Sequence, residues 1–126
     1  MEKPNNVLAC KSSLSGKFFR IWLEFLRPFH KLTDRETDVL AAFLKCRFEL
    51  SRVVSDQDIL DKLTMSEDTK NKVKKECGIS QAHFQVLMTR LRKSKVIEND
   101  KINPRLIPRV TQDAKSFQLL LTFELQ

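Results

Sequence analysis

The sequence predicts a mainly α-helical domain with a small β component. Two amphipathic segments meet at Gly78, one of only two glycines in the chain. Leu32-Thr33-Asp34-Arg35-Glu36 opens a long run of apolar residues at helical spacing. After Ser94 the helical period gives way to two short segments, Val96-Ile97 and Lys101-Ile102, on either side of the polar Glu98-Asn99-Asp100.

Taken in order, Met1 to Ser13 reads as an arm, because Pro4 and Asn5-Asn6 discourage a regular element and no hydrophobic period is present. Residues 14–27 read as a flanking amphipathic helix, with Phe18, Phe19, Trp22, Phe25 and Leu26 at i, i+3, i+4 and i+7 separations, which Pro28 ends or breaks. Aromatic stripes at this spacing usually pack a core. Phe18, Trp22, Phe25 and Phe29 are nevertheless the candidate partner-binding residues, with Trp22 and Phe29 the ones to watch for surplus exposure.

Thr33 and Glu36 form a capping box, each side chain positioned to bond the other's backbone N–H, and Asp34 and Glu36 favour the positive end of the helix dipole. Val39, Leu40, Phe43 and Cys46 continue that helix to about Phe48. Ser51 to Ser55 connects to a short helix, capped by Ser55, through Ile59, Leu60 and Leu63, and Thr64 to Glu67 links it onward. Thr69 to Cys77 then places Val73 and Cys77 on one face, with Lys70, Lys72, Lys74 and Lys75 around the others.

Gly78 stops that helix because glycine takes the left-handed conformation without a Cβ penalty. Ser80 caps the next, from Gln81 to about Ser94, which gathers Phe84, Leu87, Met88 and Leu91 on one stripe and leaves Gln81, Gln85, Thr89, Arg92 and Lys93 largely off it. This is a helix-turn-helix pattern. Val96-Ile97 and Lys101-Ile102 close a hairpin that Asn103-Pro104 ends. Arg105 to Val110 reads as extended and Thr111 to Lys115 as a turn. Phe117, Leu119, Leu121 and Phe123 alternate with Gln118, Leu120, Thr122 and Glu124, predicting a terminal strand over 116–125 that pairs with the hairpin or with Leu106 to Val110.

At 126 residues, 41% hydrophobic and 31% charged, the chain fits one globular domain over 14–126, with its centre at about 32–110. No apolar run approaches the roughly 18 residues of a membrane span, and MEKPNNVLACKSS lacks the apolar core of a signal peptide. The expectation is a protein of the cytosol, or of an assembly built there, with no membrane partner. Cys10, Cys46 and Cys77 are far apart and pair with neither His30 nor His83 at a zinc-finger spacing, so reduced thiols are expected and no metal.

The net charge is +7 and unevenly distributed. Asp34 to Asp68 holds nine acids against five bases, whereas Lys70 to Arg109 holds eleven bases against three acids. Positive potential concentrated on one part of a domain suits a phosphate backbone better than it suits mere solvation.

The helices, the turn at Gly78, the LRKSKVI ending and the hairpin that runs into INPRLIP resemble winged helix-turn-helix domains over about Leu32 to Pro108. The Leu-Thr-x-Arg-Glu opening alone is also similar to the first helix of bacterial response-regulator DNA-binding domains, but the wing argues against that subgroup. The whole chain is similar to small proteins of Bacteroides phages, including the crAss-like phages, in its LTDRE, LRK-x-x-VI and INP-x-LIP segments. One departure is Lys74, a bulky residue where such motifs carry a small one.

The resemblance implies duplex DNA as partner, with Gln81, Gln85 and Thr89 near base edges, Arg90, Arg92 and Lys93 near phosphates, and Lys101 on the wing. Lys74 and Lys75 complete the candidate nucleic-acid set, and His83 stands near the start of the second motif helix. Residue chemistry agrees, since glutamine offers the donor–acceptor pair that reads adenine and arginine or lysine neutralises phosphate.

Catalysis is not expected. The chain has two glycines, two histidines, no glycine-rich phosphate loop and no carboxylate pair in an apolar setting, and Asp56, Asp58 and Asp61 lie on a short polar helix. No cofactor or small-molecule substrate is implied. The competing expectation is a virion structural protein, a neck, tail or ring component that uses the same fold to pack against other virion proteins or copies of itself.

Overall fold

The computed structural model describes residues 9–14, 16–111 and 113–126. The first eight residues of the expected arm lie outside the described residues. Six helices are described: α1 (Phe18–Phe25), α2 (Arg27–His30), α3 (Asp34–Leu50), α4 (Gln57–Thr64), α5 (Glu67–Cys77) and α6 (Gln81–Lys93). One antiparallel sheet follows, β1 (Ile97–Glu98) and β2 (Lys101–Ile102), and then a 3-10 turn, Pro104–Leu106. The chain is thus mainly helical with a small β component, and no described helix is long and apolar enough to cross a membrane.

The architecture is organised around α3, which touches α1, α4, α5 and α6. Its Val39, Leu40, Phe43 and Leu44 are almost fully buried. Around them close Phe19 and Leu23 of α1, Val73 of α5, and Phe84, Leu87, Met88 and Leu91 of α6, with Ile97 and Ile102 of the hairpin in the same core. Each buried aliphatic or aromatic side chain here contributes on the order of 2 kcal/mol. Polar links fix the outer helices to α3. The Arg47 guanidinium donates to Asp61 at 3.2 Å and to Gln57 at 3.1 Å on α4, and the Lys45 ammonium donates to Glu76 at 3.1 Å on α5.

Helix boundaries follow the caps. Thr33 Oγ1 accepts from the Glu36 N–H at 3.3 Å, although the reciprocal bond from the Thr33 N–H to the Glu36 side chain is not formed. The cap of α4 is Asp56, whose carboxylate accepts from the Ile59 N–H at 3.0 Å, not the expected Ser55. A carboxylate is the stronger acceptor at the positive end of a helix. Ser66 caps α5, which starts at Glu67, two residues earlier than the expected Thr69.

Pro28 does not end the N-terminal helical segment. It occupies the first turn of α2, where a missing N–H leaves nothing unsatisfied. The hairpin forms as expected, pairing Ile97 with Ile102 and Glu98 with Lys101. Asn99 and Asp100 both take φ of 56°, the left-handed pair of a type I′ turn that asparagine and aspartate tolerate.

Two further expectations are corrected. Residues 116–125 form no strand, and the only ladder among the described residues is the two-residue β1–β2 pair, too short an edge to template a longer partner. Arg105 to Val110 is not uniformly extended, because the Asn103 side chain accepts from the Arg105 N–H at 3.0 Å and winds Pro104–Leu106 into the 3-10 turn.

Trp22 is buried, its indole N–H donating to the Leu106 carbonyl at 2.9 Å and its ring set edge-on to Phe117 at 5.3 Å. Phe18 is half-buried and packs edge-on to Phe117 at 5.5 Å. Both are therefore occupied within the domain, and Trp22 has no surplus exposure. Phe25 and Phe29 remain open, 56% and 71% exposed.

Candidate nucleic-acid interface

The α5–α6 junction is built by local chemistry. Gly78 takes φ of 63°, the Ile79 N–H bonds the Lys74 carbonyl at 3.2 Å, and half-buried Ile79 folds back onto the core. This glycine-terminated closure satisfies the last carbonyls of α5 and redirects the chain. Ser80 Oγ then accepts from the His83 N–H at 3.1 Å and starts α6. A three-residue turn, Gly78 to Ser80, separates the two helices.

With Phe84, Leu87, Met88 and Leu91 turned into the core, the opposite face of α6 is solvent-exposed. At about 3.6 residues per turn, Ala82, Val86, Thr89 and Lys93 point most directly away from the core stripe. Gln81, Gln85 and Arg92 line one flank, and His83 and Arg90 the other. All nine of these residues are exposed, and α6 contains no acid. Ala82 and Val86 were not singled out from the sequence. Their signal is legible in retrospect as an i, i+4 apolar pair lying off the core stripe, with Val86 47% exposed.

The bulky Lys74 is accommodated rather than excluded. Its ammonium donates to the Gln81 side-chain oxygen and lies over the Phe84 ring at 5.5 Å from the centroid, so the aliphatic stem covers the core while the charge stays at the rim. Lys74 and Gln81 are thereby partly committed to each other. Thr89 Oγ1 donates to the Gln85 carbonyl at 2.9 Å, leaving the hydroxyl oxygen free to accept only. Gln85, Arg90, Arg92, Lys93 and Lys75 make no side-chain hydrogen bond or ion pair to another described residue.

Several acids are held at α1–α3. Arg20 bonds Glu24 and Asp38, Arg27 bonds Glu24 and Asp34, and Arg35 lies 3.7 Å from Asp38. The two guanidiniums, Arg27 first and then Arg20, hold the Glu24 carboxyl down at about 2. Among the described residues, no ion pair involves Lys72, Lys75, Arg90, Arg92, Lys93, Lys95, Lys101 or Arg105. The uneven charge of the sequence thus becomes an ion-paired cluster at α1–α3, a mixed α5 whose Glu67 and Glu76 pair with Lys70 and Lys45, and an acid-free α6 whose bases are unpaired among the described residues.

The hairpin adds little to that edge. Its exposed Lys101 stands opposite Glu98, with Asp100 at the tip, two acids against one base. Lys95, by contrast, follows the end of α6 with φ of 63°, a left-handed conformation a lysine adopts only when the neighbouring packing imposes it. The Val96 N–H to Leu91 carbonyl bond at 3.1 Å and buried Val96 impose it here.

Among the described residues, no three His, Cys, Asp or Glu side chains are grouped to hold a metal ion. The described cysteines are free: Cys10 exposed, Cys46 buried and Cys77 half-buried, its thiol pushed up to about 11 by burial and then by Glu76 and Asp38. No protein-family model, curated protein or solved structure matches this chain.

Proposed function

We propose that the protein is a winged helix-turn-helix domain that binds duplex DNA without catalysing a reaction on it. In this reading α5 and α6 are the motif, α6 enters the major groove and the β1–β2 hairpin is the wing. The observation that carries it is the outward face of α6, a thirteen-residue helix without an acid, with Arg90, Arg92 and Lys93 exposed and unpaired among the described residues. A helix of that length spans about 20 Å and about 10 Å across, which matches a groove about 12 Å wide.

Gln85 then reads a base edge, Ala82 and Val86 offer apolar contact to thymine methyl groups, and the basic residues neutralise phosphates. Lys74 and Gln81 act at the margin, since each already holds the other. Lys75 contacts backbone from the motif's first helix. The wing, with two acids beside Lys101, contributes less than α6.

The test is fluorescence anisotropy with a labelled duplex of mixed sequence. Binding at about 50 mM salt that weakens steeply by about 200 mM supports the reading, and no binding at the lower concentration overturns it. A second reading, a structural component of a phage virion, is favoured by Phe25 and Phe29, two large apolar side chains left open at i, i+4 on the opposite, ion-paired side of the sequence order. Mass spectrometry of purified virions separates the two, since only a structural component is present in stoichiometric amount.

A further inference from the structure

The C-terminal segment carries a feature that DNA binding does not use. Leu119, Leu120, Leu121, Phe123 and Leu125 are exposed, three of them at 80% or more. Among the described residues, no main-chain hydrogen bond involves 115–126. The segment has the composition of a strand, leucine and phenylalanine with threonine and one acid, yet β1 and β2 offer no edge long enough to receive it. Its root is fixed, because Phe117 is wedged edge-on against Phe18 and Trp22.

We propose that residues 116–125 pair antiparallel with the same residues of a second copy, making the protein a two-fold symmetric dimer. The occupant follows from self-complementarity. With Leu120 on the two-fold axis, Leu119 stands opposite Leu121 and Phe117 opposite Phe123 of the other copy, on one face. Gln118 and Thr122 stand opposite one another on the other face. Phe123, 80% exposed in the single chain, is thereby delivered beside Phe117, extending the Phe18–Phe117–Trp22 aromatic cluster.

Charge selects the direction. A parallel in-register pair sets Glu124 against Glu124, which is unfavourable. The antiparallel pair sets Glu124 opposite the neutral Ser116 of the other copy instead. The two Glu124 residues are then about 27 Å apart, well beyond the screening length at physiological salt. Main-chain groups on the facing edge, which have no described partner, gain a ladder, and Leu119 of each copy gains a cross-strand contact with Leu121 of the other.

The experiment is sedimentation velocity on the full chain, with circular dichroism in parallel. The expected result is a dimer whose dissociation constant rises at least about tenfold in Phe123→Asp while the helical signal stays unchanged, because Phe123 is 80% exposed in the single chain and outside its core cluster. In a Cys10→Ser background, Leu120→Cys is expected to oxidise to a covalent dimer, since facing Cα atoms about 5 Å apart suit a disulfide. Leu63→Cys, on α4, is expected not to. A monomer at every concentration up to about 100 μM, a dimer indifferent to Phe123→Asp, or a Leu120→Cys variant that does not cross-link would each overturn the proposal.

Discussion

Replacing Arg90, Arg92 and Lys93 together by alanine tests the α6 interface most directly. All three are exposed, none is ion-paired among the described residues, and all lie in the last turn of a helix whose buried stripe the change leaves intact. If each neutralises one phosphate, three fewer counterions are released on binding. The slope of log affinity against log salt then becomes shallower by about 2.7, from about 0.9 per contact. Between about 50 and 200 mM salt, the variant loses roughly 40-fold less affinity than the parent does.

The assay is anisotropy across that salt range. It needs a charge-matched control, because the triple change lowers the net charge from +7 to +4. Lys11, Lys62 and Lys115 are also exposed but sit before α1, on α4 and in the C-terminal segment. Substituting them by alanine produces the same +4 and is expected to leave the slope within about one unit of the parent. Equal slope changes in the two triple variants would show that net charge, rather than the α6 face, governs binding, and would refute the reasoning.

Three further outcomes follow from packing and charge. Trp22→Phe removes the indole bond to the Leu106 carbonyl and leaves that buried acceptor unpaired, so urea unfolding followed by circular dichroism should report a loss of about 2 kcal/mol; a loss below about 0.5 would contradict the buried placement. Lys95→Gly relieves a left-handed non-glycine residue and is expected to raise stability by about 1 kcal/mol while making the salt slope shallower by up to about 0.9, measured on the same protein by melting and anisotropy. Glu24, held at about 2 by Arg27 and Arg20, favours the folded state fully above its unfolded value near 4.5. That contribution fades as pH falls from about 5 towards 2, so Glu24→Gln should flatten the acid limb of a melting-temperature titration, and an unchanged acid limb would contradict the pairing.

Short-range chemistry was legible in the residues themselves. Thr33, Gly78, Ser80 and the Asn99-Asp100 tip acted as their caps and turn preferences demanded, because those preferences operate within four residues and need no partner from elsewhere. The apolar stripe of α6 likewise reached the core, since a helix has only one such face to bury. Misplaced boundaries arose where two residues competed for one role. Ser55 and Asp56 are both good caps, and the carboxylate took the helix N-terminus.

What the sequence by itself determined was the helices other than α2, the glycine turn, the hairpin and the surplus of base after Lys70. Tertiary structure alone decided that α3 is the hub and that Trp22 faces Leu106 across 84 positions of chain. It also decided which charges remain available. Ion pairing depends on which helices pack side by side, so composition could count bases but could not separate Lys45, held by Glu76, from Arg90, which has no acid within reach among the described residues. The alternation at 116–125 predicted a strand that does not form, because a strand requires an edge, and no described element of this chain supplies one of that length.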